Sequence, residues 1–256
     1  MTTWILLRGL TREQGHWGDF PERLGSALAA CDTDVVTLDL PGSGQHWRMR
    51  SPARVEDIAS FCRSQAASRR LQPPFNIVGL SLGGMVAVAW AGAFPDEVAA
   101  LVLINTSARS FCPPWQRLRP RTCATLLRIL LARTDSAREA IVLSLTSSRP
   151  ARSADVVRIW TEIRRARPVS IANAMRQILA ALRYGPGMAR PAARMLVLAS
   201  TGDILVHPLC SRRLAKAWTA DYAEHPTAGH DLPLDDGDWV ARLIARWWAG
   251  GGQTSP

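Results

Sequence analysis

The sequence predicts an α/β fold: a mostly parallel sheet of about six strands flanked by helices, with an all-helical insertion between two of the strands. Three observations carry this expectation. Short apolar runs bounded by Gly, Pro or Asp recur along the chain, most of them near-continuously apolar, as strands buried on both faces are. Stretches with a helical apolar period separate them. From Ser107 to Pro191 the alternation stops and only helical patterns remain.

Taken in order, Trp4–Arg8 and Val35–Asp39 read as the first two strands. Ser51 followed by Pro52 reads as an N-cap with proline at the first helical position, opening a helix whose inner face carries Val55, Ile58, Phe61 and Cys62. Phe75–Gly79 is the next strand, and Leu82, Met85, Val86 and Ala89 share one face of the helix after it. Leu101–Asn105 follows, and then come the helical segments Leu126–Leu131, Ala137–Leu145, Val156–Ile163 and Ile171–Leu182, separated by Pro-containing stretches. Met195–Ser200 and Ala220–His225 resume the sheet, and Trp239, Val240, Leu243, Ile244 and Trp247 repeat with helical period near the C-terminus. The expected division is a core of residues 1–108 and 191–249, a helical insertion at 109–190, and a flexible Gly-rich tail at 250–256.

Hydrophobic content of 47% with 20% charged residues is enough for a sizeable core in 256 residues and excludes disorder for the bulk of the chain. No apolar run approaches the ~20 residues of a membrane span. The N-terminus has neither a basic start nor a long apolar stretch, so it does not read as a secretory signal. The five cysteines are irregularly spaced with no CxxC pair, so neither a zinc site nor a disulfide framework is indicated, and the expected compartment is the reducing cytoplasm. The net charge of +10 is unevenly placed: sixteen arginines stand against four acidic residues between Arg109 and Arg190. A bias toward Arg over Lys with a solvated helical face accounts for part of this, and attraction of an acidic partner is the alternative. No nucleic-acid-binding motif accompanies the charge.

The sharpest local signal is Gly79-Leu80-Ser81-Leu82-Gly83-Gly84, where a strand meets a helix. A Ser in such a tight turn is held strained with its hydroxyl exposed, flanking glycines remove Cβ atoms that would clash, and the helix N-terminus favours developing negative charge. Further along stand Arg8-Gly9-Leu10, Asp39-Leu40-Pro41-Gly42-Ser43-Gly44, Gly202-Asp203-Ile204-Leu205-Val206 and Ala228-Gly229-His230. In these segments and in the order Ser81, Asp203, His230, the chain resembles the α/β-hydrolase superfamily over nearly its whole length.

The resemblance implies an α/β-hydrolase fold whose helical insertion is a lid, and a serine hydrolase acting on carboxylic esters without metal or organic cofactor. Ser81 would be the nucleophile, His230 its base, and Asp203 the group that orients and stabilises the imidazolium. The backbone N–H groups of Leu10 and Leu82 would form the oxyanion hole. Asp231, Asp235, Asp236 and Asp238 compete with Asp203 near the His loop, and His16, close to Leu10, stands between site rim and surface. Arg8 replaces the family's usual His before the oxyanion glycine, and local bracing is the expected role. Trp17, Trp115, Trp160 and Met175 are the candidates for the substrate pocket, although stripes at helical spacing more often pack than bind. Similarity to the pimeloyl-carrier methyl esterase group in architecture, lid placement and charge implies an acidic acyl carrier protein as partner at the lid. Thioester or coenzyme A ester hydrolysis, and a non-catalytic ligand-binding role on the same fold, stay open.

Overall fold

The computed structural model describes residues 2–149 and 153–251. Its centre is a six-stranded sheet in the order β2-β1-β3-β4-β5-β6, formed by β1 (Thr2–Leu7), β2 (Thr33–Leu38), β3 (Phe75–Leu80), β4 (Val98–Ile104), β5 (Arg194–Ser200) and β6 (Asp221–His225). Every neighbouring pair is parallel. Successive side chains of a strand point to opposite faces, and here both faces are covered. Ile5, Leu7, Ile77, Leu101, Leu103 and Val197 join one core cluster. Trp4, Leu6, Val78, Val102, Ile104 and Leu198 join the other. Two-sided burial is why these strands read as unbroken apolar runs, and the expected fold class is borne out.

The first cluster is closed by α2 (Val55–Ser68), α3 (Leu82–Ala93) and α9 (Leu209–Ala217), the second by α1 (Phe20–Ala27) and α10 (Leu232–Ala249). The expected start of α2 at Ser51-Pro52 is corrected: the helix opens at Val55 with Arg54 in the cap position. Ser51 donates its backbone N–H to Asn173 Oδ1 at 3.0 Å, a partner 122 residues away. The tail expected at 250–256 lies outside the described residues from 252 onward.

Between β4 and β5 the described residues hold only helices: α4 (Pro114–Arg117), α5 (Cys123–Leu131), α6 (Asp135–Thr146), α7 (Ser153–Ala166) and α8 (Ile171–Arg183), besides a single 3-10 turn. This insertion is tied to the loops at the C-terminal edge of the sheet by polar contacts. Gln177 of α8 accepts from Thr11 N at 2.9 Å and donates to Ser43 Oγ at 3.1 Å. At the end of α6, Thr146 O accepts from Asp231 N at 2.7 Å, and Ser148 N donates to Asp235 Oδ2 at 2.9 Å.

Candidate active site

Parallel strands place their C-terminal ends on one edge, and ligands of open α/β sheets bind there. The ends of β1, β3, β5 and β6 carry the segments containing Leu10, Ser81, Asp203 and His230. Ser81 sits between β3 and α3 at φ 55° and ψ −114°, a left-handed conformation that costs a non-glycine residue ~1–3 kcal/mol. Four contacts pin it: Ser81 N donates to Ile104 O at 2.9 Å, and Ser81 O accepts from Thr106 Oγ1 at 2.7 Å, Gly84 N at 3.0 Å and Met85 N at 3.3 Å. The turn closes only because neighbouring backbone comes close. A Cβ at Gly79 would lie 2.5 Å from Gly83 O, and one at Gly83 would collide with Leu7 O and lie 2.7 Å from Arg8 O. Gly83→Ala is expected to cost at least about 2 kcal/mol in denaturant unfolding, since backbone rather than a movable side chain stands in the way.

Asp203 and His230 meet across the ends of β5 and β6, with His230 Nδ1 2.7 Å from Asp203 Oδ2. Asp203 is only 1% exposed, and its other oxygen accepts from Leu205 N at 2.8 Å and Val206 N at 2.9 Å, which offsets the cost of burying a carboxylate. Burial pushes the His230 pKa down. The charge and hydrogen bond of Asp203, helped by Asp231, outweigh that, and the imidazole stands above its ordinary value. The competing carboxylates are engaged elsewhere: Asp231 with Arg8, Asp235 with Ser147 and Ser148, Asp236 with His225, and Asp238 with Arg23. Ser81 Oγ makes no hydrogen bond to His230 among the described residues. Neither the Leu10 nor the Leu82 amide donates to a protein acceptor among them.

Arg8 braces, as expected for it. Its two terminal nitrogens donate to the two oxygens of Asp231 at 3.1 and 2.6 Å, both side chains being buried, and its guanidinium lies 4.7 Å from the Trp17 ring centroid. This joins the loop after β1 directly to the residue following His230. Asn105, at φ 45° after β4, supports the same loop by donating to His230 O at 2.8 Å while accepting from Ser200 N at 2.9 Å. Sequence reasoning did not single out Asn105; its signal was an Asn at a strand end, a residue type that tolerates the left-handed region.

A second polar cluster was also unanticipated. Arg12 donates to Glu139 of α6 at 2.7 Å, stacks 4.3 Å over the Trp160 ring of α7, and approaches His16 Nε2 at 2.9 Å. Arg164 closes on the other oxygen of Glu139, and Arg167 forks onto Glu13. His16 is therefore neither rim nor surface but buried, and burial together with the charges of Arg12 and Arg8 holds it well below its ordinary pKa, hence neutral.

The four candidates for the substrate pocket divide. Trp17 is buried in the core, stacked on Phe20 and covered by Arg8, and Trp160 is buried between His16 and Arg12; both are corrected to packing residues, since neither offers surface to a ligand. Trp115 on α4 and Met175 on α8 are exposed. No group of three His, Cys, Asp or Glu side chains converges as metal ligands would among the described residues.

A parallel sheet with a strained Ser at its C-terminal edge and a hydrogen-bonded Asp and His on the same edge defines a class of protein. Residues 4–243 match the alpha/beta hydrolase family, and the chain belongs to it. Over 144 residues, 56% of this chain, it is 32% identical to the pyrrolizixenacetamide deacetylase of Xenorhabdus hominickii. Over 105 residues, 41% of the chain, it is 32% identical to the pimeloyl-[acyl-carrier protein] methyl ester esterase of Chromobacterium violaceum. These matches span 52% and 37% of the two relatives' own lengths. Among solved structures, the enol-lactonase of Burkholderia xenovorans superposes with a TM-score of 0.77 at 20% identity, covering 97% of this chain and 92% of that one. An esterase of Thermogutta terrifontis does so at 0.75 and 19%, covering 99% and 91%.

Proposed function

We propose that the protein is a serine hydrolase that cleaves carboxylic esters through an acyl-enzyme on Ser81. The observation that carries this reading is the buried His230–Asp203 hydrogen bond on the same strand edge as the strained Ser81. Bonded through Nδ1 to Asp203, His230 keeps Nε2 free to take the Ser81 proton as Oγ attacks the ester carbonyl. The tetrahedral oxyanion is met by the Leu10 and Leu82 amides, and its collapse expels the alcohol with the proton from His230. Water, deprotonated by the same imidazole, then releases the acid and restores the Ser81 hydroxyl.

A thioester or ester held on an acidic acyl carrier protein or on coenzyme A is the second reading, favoured by the net arginine excess of the insertion. The first test is intact mass after fluorophosphonate treatment, repeated on His230→Ala. Stoichiometric labelling at Ser81 that disappears in the variant supports the hydrolase, and an unlabelled folded wild-type protein counts against it. A panel of esters and thioesters of rising chain length, free and carrier-bound, then separates the two readings by kcat/KM.

The pH profile carries a sign. The base must be neutral, so activity falls as pH drops through the raised His230 pKa, and the acid limb of kcat/KM is expected above the ordinary 6.5. Asp203→Asn removes the larger of the interactions that raise it, leaving only Asp231 against burial. In that variant the acid limb moves to lower pH while the maximal rate falls by about 10⁴. An acid limb that stays in place would detach His230 from the rate.

A further inference from the structure

The outer surface of the insertion is unlike the rest of the molecule. Ten of the twelve exposed large apolar side chains among the described residues lie between Trp115 and Met188. α8 is inside out: it buries Asn173 and Gln177 against loops of the core and turns Ile171, Met175, Leu179 and Leu182 to solvent, with Ile171 71% exposed. Their spacing of four, four and three residues puts them on one face, opposite the docked one. An exposed apolar stripe of this kind on a globular protein marks a binding face.

The cations on α5 and α8 lack counter-charges. Arg128 on α5 and Arg176 and Arg183 on α8 have no carboxylate or hydrogen-bond acceptor among the described residues, whereas Arg23, Arg63 and Arg212 of the core are each paired. Arg176 and Arg183 border one edge of the exposed stripe, where their stems can lie along an apolar medium while their heads reach anionic phosphates. An apolar stripe edged with arginine is the pattern of helices that lie in a membrane interface. The insertion's excess of twelve positive charges disfavours pairing with a second copy of itself. A purely electrostatic contact with an acidic protein leaves the apolar stripe without a role. No helix is long and apolar enough to cross a bilayer among the described residues, so the contact is peripheral.

We propose that this face of α8 docks the protein on an anionic lipid surface. The inference does not depend on the nucleophile at Ser81. Its test is co-sedimentation of the full chain with vesicles of phosphatidylcholine alone and vesicles enriched in phosphatidylglycerol. Binding is expected to the anionic vesicles, weakened by salt, and reduced about tenfold or more by Ile171→Glu with Leu182→Glu and by Arg176→Gln with Arg183→Gln. All four positions are on or beside the solvent face, and an unchanged thermal midpoint verifies that each variant is folded. Absence of binding, or binding that both folded double variants retain, overturns the proposal. So does concentration-dependent dimerisation abolished by the same variants without vesicle binding, which would assign the face to a second copy. Capture of an acidic acyl carrier protein in place of vesicles would likewise overturn it and favour the carrier reading.

Discussion

Replacing Ser81 by Ala is expected to lower kcat/KM for a short aryl ester by about four to six orders of magnitude and to abolish fluorophosphonate labelling. Under the proposed mechanism the loss is large because Oγ is the atom that becomes acylated, and residual catalysis would come only from substrate binding and the oxyanion donors. The fold should be unaffected. Ser81 is held by backbone contacts to Ile104 and Gly84 and by its carbonyl's bond from Thr106, none of which uses the hydroxyl. An Ala at φ 55° carries the same strain as the Ser it replaces. His230→Ala should cost nearly as much as Ser81→Ala, and the double variant little more, because residues that act as one unit are not additive. Additive losses would mean that Ser81 and His230 serve separate steps.

The largest expected loss of stability belongs to Glu139. It is 1% exposed and lies between two guanidiniums, Arg12 from the loop after β1 and Arg164 from α7. Burial opposes its charge. The two arginines outweigh burial and hold its pKa below the ordinary carboxylate range. Glu139→Leu leaves Arg12, itself buried and with one terminal nitrogen already unpaired, without its counter-charge. Breaking such a pair costs about 3–5 kcal/mol, which for a chain of this size lowers the thermal midpoint by roughly 10 °C. Glu139→Gln, which keeps an acceptor oxygen, should lose less. The pH dependence has a definite sign: a depressed carboxylate pKa contributes stability above its unfolded value near 4.5, and that stability disappears as pH falls through the folded pKa. Wild type and Glu139→Leu should therefore converge in acid. Arg12 is two residues beyond Leu10, so under the proposed mechanism the folded Glu139→Gln variant should also show a reduced kcat on small esters.

Much of the site was legible because its signals are local. A Ser between glycines at a strand-to-helix junction announces its own backbone conformation, and Gly202-Asp203 and Gly229-His230 follow strands that identify themselves by unbroken apolar runs. Choosing Asp203 over its competitors was a different matter. Asp231, Asp235, Asp236 and Asp238 lie within eight residues of His230, and only the fold shows each of them engaged by another partner. Nor does anything near Ser51 reveal that Asn173, 122 residues away, will take its amide. Trp160 misled because a helical stripe has the same period whether it faces a ligand or a core.

The sequence by itself determined the fold class, the order of the strands along the chain, the helical character of the insertion and the turn that holds Ser81. All of these rest on periodicity and turn chemistry among residues a few positions apart. The tertiary structure alone decided which carboxylate serves His230, how Arg8 reaches Asp231 across 223 residues, and how Arg12, Glu139 and Arg164 seat the insertion on the loop beside Leu10. It also decided that α8 faces the core with its amides and solvent with its apolar stripe. Amphipathic spacing gives a helix two faces but does not say which one is docked. That choice depends on whether polar partners, here Thr11, Ser43 and Ser51, wait on the surface the helix meets.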